Sequence, residues 1–149
     1  MKKIYGLLLF VAVMAGCGKD DDPKLSVEQY LTAATNGWVY ESYTYTYQGA
    51  EIDILDFFDA CEKDDATVFT SDGKFTVKAN TKCEGEDDDI LDNGTWALNS
   101  DKTTLTITSE DNTVITLTKL SADDTNLKGE ITEEVEGETI TAKIVLKKK

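Results

Sequence analysis

Carboxylates dominate the side-chain chemistry open to this chain. Asp and Glu number 29 against 15 basic residues, all of them lysine, and histidine is absent. Without histidine, the usual acid–base group near neutral pH and the commonest metal ligand are both missing. Without arginine, no planar fork is present to clamp a phosphate or a carboxylate. Two acids flanking a bond can hydrolyse a glycoside, but among so many acids some pair meets that spacing by chance. No nucleophile elbow, thiol–imidazole pair or phosphate loop occurs. Glu84, Glu86, Asp87, Asp88, Asp89 and Asp92 crowd one short segment, dense enough in hard oxygens to suggest calcium. Their spacing departs from the EF-hand loop and reads more simply as a solvated charge run. The expectation is a non-enzymatic protein with no metal and no cofactor.

Cysteine use points to location. Lys2 and Lys3 precede an apolar run from Ile4 to Met14, the order of charge and hydrophobicity found in a secretory signal. The run falls short of the about 20 apolar residues a membrane-spanning helix needs. Val13-Met14-Ala15-Gly16 then leads into Cys17, and small residues before a cysteine resemble the bacterial lipobox. That resemblance implies cleavage after residue 16, lipidation of Cys17 and a membrane anchor. Several acyl chains, at about 0.8 kcal/mol per buried methylene, hold a protein stably where one chain does not. Gly18-Lys19-Asp20-Asp21-Asp22 resembles an acidic export tag of surface lipoproteins, or else is a plain solvated tether. The expected organisation is therefore a signal peptide over 1–16, a tether over 17–24 and one domain over 25–149. The expected location is the outer membrane, facing the cell exterior. Loss of Lys2 and Lys3 takes the formal net charge from −14 to −16, which repels nucleic acid.

Cys61 and Cys83 remain, an even pair in an exported chain, and that compartment favours a disulfide. Such a bond would close a loop of about 23 residues, worth about 3 kcal/mol by chain entropy. Free or metal-binding thiols are the rival, although two thiols leave a zinc site two ligands short.

The elements that would position these groups are mostly strands. Ser26 and Gln29 form a capping box, with Leu25 and Tyr30 as a hydrophobic staple, so a short helix is predicted from Val27 to Thr35. Asn36-Gly37 stops it. Period-two patterning predicts strands at Trp38–Tyr47, Ala66–Thr70, Lys74–Lys78 and Thr95–Leu98. Four more follow at Thr103–Thr108, Thr113–Leu120, Thr125–Glu133 and Glu138–Lys147. Leu105 and Ile107, Ile115 and Leu117, Leu127 and Ile131, and Ile140 through Leu146 in alternation mark the buried face. Eight strands in consecutive hairpins predict an all-β, up-and-down antiparallel barrel, with a two-sheet sandwich as the rival. Two stretches break the rhythm: Ile52–Phe58, apolar at near-helical spacing, and the acidic loop 84–93.

Asn36-Gly37-Trp38, Cys61-Glu62-Lys63-Asp64-Asp65, Ser71-Asp72-Gly73-Lys74-Phe75, Cys83 and Gly94-Thr95-Trp96 together resemble the lipocalin-like domain of Bacteroidota surface lipoproteins. The resemblance covers about Leu25 to the C-terminus. It implies a small barrel, pairing of Cys61 with Cys83, and an internal apolar pocket for a small ligand. Trp38, Tyr40, Phe69, Phe75 and Trp96 are the aromatics expected to point inward, either lining that pocket or filling a plain core. Tyr43, Tyr45 and Tyr47 have the opposite parity to Trp38 and Tyr40 unless a bulge intervenes. Outward, they would offer a face for glycans or a protein partner; a bulge near Glu41 or Ser42 would turn them into the core.

Overall fold

The computed structural model describes residues 24–47, 49–135 and 138–149. The expected signal peptide, the lipidation site Cys17 and all of the tether but Lys24 lie outside the described residues. Helix α1 runs Val27–Ala33 and starts as its sequence dictates. Ser26 Oγ accepts from the Gln29 amide at 3.3 Å, and Gln29 Oε1 accepts from the Ser26 amide at 2.8 Å. The helix ends two residues before the predicted Thr35. Gly37 follows with φ 91°, a left-handed conformation that suits glycine. A Cβ there would also lie 3.0 Å from both Ala66 Cβ and the Thr67 carbonyl oxygen.

Nine strands follow among the described residues: β1 Trp38–Tyr47, β2 Ala50–Asp53, β3 Ala66–Phe69, β4 Lys74–Lys78, β5 Ile90–Leu98, β6 Leu105–Ser109, β7 Val114–Ala122, β8 Asn126–Val135 and β9 Glu138–Lys148. Every neighbouring pair is antiparallel, from β3 through β9 in chain order, and β9 pairs with β1 while β1 reaches β3 through Trp38 opposite Thr67. These eight close into the predicted barrel. The ninth, β2, folds back on the far half of β1 as a hairpin and was not expected. Closure leaves the threonine-rich sheet without long open edges.

Two departures from expectation have plain causes. Ile52–Phe58 is split between the end of β2 and a single 3-10 turn, Ile54–Phe57, capped by Asp53 accepting from the Leu55 amide at 3.0 Å. Strand β5 begins at Ile90, not Thr95, because Asp92 and Asn93 pair with Val77 and Thr76 despite their polarity. A short helix α2, Ala60–Lys63, lies just before β3.

The core is the barrel interior. Leu31, Leu105, Leu127 and Trp38 are fully buried, and Phe69, Phe75, Leu117, Ile144 and Leu146 join them in one cluster. Helix α1 stoppers one end. Leu31 packs into the cluster, Trp38 Nε1 donates to its carbonyl at 3.1 Å, and Lys102 bonds Glu28 at 3.0 Å.

Candidate ligand-binding site

The opposite end of the barrel is where space remains, and a β-bulge determines what faces it. Tyr40 sits opposite Leu146, but Ser42 sits opposite Val145, so Glu41 is an extra residue on β1. One inserted residue reverses the parity of everything that follows. Tyr43 therefore lies opposite Ile144 and Tyr45 opposite Ala142, on the buried face. Of the two readings the sequence left open, the bulge is the one realised: Tyr43 and Tyr45 border interior space, and Tyr47 alone of the three is exposed, at 43 %.

Within the barrel is a cavity of about 170 Å³, whose walls include Tyr40, Tyr43, Phe69, Phe75, Ile107 and Leu117. It adjoins a more open space of about 280 Å³, bordered by Tyr45, Ile54, Ile140 and Ala142. Tyr43, Ile131 and Glu133 border both, so they stand at the passage between them. Glycines let the walls close in. A Cβ on Gly94 would strike the Thr108 carbonyl oxygen and lie 2.9 Å from the Phe75 ring. On Gly129 it would lie 3.1 Å from Leu117.

The five aromatics singled out from sequence divide. Tyr40, Phe69 and Phe75 line the cavity. Trp38 is held at the stoppered end by its bond to Leu31. Trp96 stacks edge-on against Phe69 at 5.7 Å and donates from Nε1 to the Thr70 carbonyl at 3.1 Å. Both tryptophans serve the core around the cavity rather than its wall. Ile131, read from the sequence as inward-facing, belongs to the wall, as do Asp92 and Glu133, which were missed, Asp92 because its segment reads as loop. Glu133 continues the inward parity of Leu127 and Ile131, and that alternation could have found it.

Tyr40 and Tyr43 give the chamber its polar character. Their rings stack at 6.0 Å, and Phe58 meets Tyr40 edge-on at 6.0 Å. Burial raises the Tyr40 phenol above its usual 10, helped by Tyr43 and Asp65. Burial also raises Tyr43, helped by the carboxylate of Glu133. Both phenols thus stay protonated at neutral pH and can donate a hydrogen bond.

Cys61 and Cys83 are disulfide-bonded, with Cα atoms 5.4 Å apart, within the usual span. The bond joins α2 to the β4–β5 connection at the open end. In that connection, Glu86 accepts from the Cys83 amide at 2.9 Å, and Lys82 bonds Asp89 at 2.9 Å. Among the described residues no group of three or more acids or cysteines gathers to hold a metal ion.

A closed eight-stranded antiparallel barrel, stoppered by a helix at one end and hollow toward the other, belongs to a class of folds whose interior can hold one small ligand. The chain belongs to the lipocalin-like domain family, whose pattern it matches over residues 35–129. The match stops within β8, yet β9 is the strand that closes the barrel. A comparison with curated proteins found no match.

Proposed function

We propose that this protein is a non-catalytic, lipid-anchored surface protein that holds a small, mostly apolar ligand inside its barrel. The interior cavity carries the reading: its walls are aromatic and aliphatic, with a few polar groups, as in ligand sites generally. At about 170 Å³ it exceeds the 150 Å³ or so that accommodates benzene in another protein's apolar core. A ring-sized group fits there, and the outer space of about 280 Å³ takes whatever it carries.

The anchor and the surface location rest on the lipobox-like run ending in Cys17 and on the acidic residues after it. Incorporation of labelled palmitate, lost in Cys17→Ala, tests the anchor. Protease digestion of intact cells tests which face of the membrane it occupies.

Native mass spectrometry of the protein from its own cells tests the carrier reading. The expected result is a reproducible non-covalent adduct, lost when Ile131→Trp fills the passage and the far-ultraviolet spectrum stays unchanged. A clean protein mass that persists after incubation with lipid and metabolite extracts would overturn it.

A further inference from the structure

The charged groups bordering the cavity share one sign, and this narrows the ligand class. Asp92 and Glu133 are the charged residues bordering it, and neither that cavity nor the outer space is bordered by a lysine. Neither carboxylate has a lysine within ion-pair distance among the described residues. Lys128, Lys143 and Lys147, on the adjoining strands β8 and β9, are exposed instead. Asp92 is nevertheless held firmly. Its Oδ2 accepts from Ser109 Oγ at 2.7 Å, and its Oδ1 accepts from the Asn93 amide at 2.7 Å. Each oxygen keeps a further lone pair for another donor.

Asp92 thus faces the chamber with two hydrogen bonds but no counter-charge, which leaves its negative charge open to a cationic partner. Around the open end, residues 49–65 and 82–92 add many more acids, with Lys63 and Lys82 as their only cations. Walls of one charge sign focus the field and concentrate the opposite ion.

We propose that the cavity selects a ligand bearing a protonated amine on an apolar, ring-sized body. The ring lies against Phe75, Leu117 and Ile107. The ammonium group sits between Asp92, at the depth of Val77, and Glu133 at the passage, with the Tyr43 ring beside it as a cation–π partner. Anionic amphiphiles such as fatty acids are disfavoured by the same two carboxylates. This selectivity rests on the barrel being a ligand carrier, so the test separates the two.

The purified protein would be titrated by NMR with three probes of matched size: benzylamine, benzyl alcohol and benzoate. Benzylamine is expected to bind about tenfold more tightly than benzyl alcohol, the difference between a charged and a neutral hydrogen bond, and benzoate least. Glu133→Gln, at the exposed mouth where folding is not at stake, should cut the preference for benzylamine over benzyl alcohol several-fold. Asp92→Asn should do the same. Equal binding of all three probes would overturn the charge selectivity and leave the carrier reading intact. Preference for benzoate would overturn it likewise. Failure of all three, benzyl alcohol included, would sink the cavity reading and the selectivity together.

Discussion

Asp65 sits beside the disulfide-bonded helix, half-buried among its own kind. Burial, followed by the charges of Glu86, Asp64 and Glu62, pushes its carboxyl up to about 6. Its neighbour Asp64 moves the other way, held low by hydrogen bonds from Thr81 and Asn80. Because the folded-state value of Asp65 exceeds the unfolded 3.8, the native state holds this proton more tightly. Its share of stability therefore falls as pH rises from about 4 to about 6, and the penalty is complete above that. Asp65→Asn removes the penalty. After discounting for solvent screening, a gain of about 1 kcal/mol is expected at pH 7, and none at pH 3.5. Urea unfolding of the two proteins at both values checks it, and an equal difference at each pH would contradict the assignment.

Elements show where sequence patterning succeeds and where it fails. The capping box at Ser26 and the hairpin at Ser71-Asp72-Gly73 rest on local chemistry, and both form as read. The alternation of β6, β8 and β9 was legible because one face is mostly apolar, with Ser109 and Glu133 as its polar members. Bulges have no such signature. The extra residue at Glu41 turned Tyr43 and Tyr45 inward, and a second irregularity between Thr118 and Ser121, with Lys119 at φ 50°, moves the buried positions of β7 from Leu117 to Leu120. Strand β2 was hidden because its four residues run into an apolar stretch at helical spacing. The disulfide belongs to this scale as well, since it ties α2 to the β4–β5 connection beside the open end. Replacing both Cys61 and Cys83 by Ser should lower stability by about 3 kcal/mol through loop entropy in the unfolded chain. Chemical denaturation of the oxidised protein against the double variant measures this, and a difference under 1 kcal/mol or so would mean other contacts fix the loop.

At the scale of the molecule, the barrel and its family membership were readable from the chain. The hollow was not, because alternation marks which side chains face inward but not whether they meet. That depends on shape: glycines at 94 and 129 admit Phe75 and Leu117, while Tyr40 and Tyr43 stack along one wall and leave the centre open. The molecule is thus polarised. One end is sealed by α1, Trp38 and Trp96, and the other carries the passage and most of the acidic loops. A filled core needs no such division, and the proposed carrier role makes use of it. Crystals of the protein soaked with benzene address this most directly. The account predicts electron density for one ring between Phe75, Ile107 and Leu117, with the surrounding side chains unmoved. A chamber closed by those side chains, with no ring bound, would contradict it.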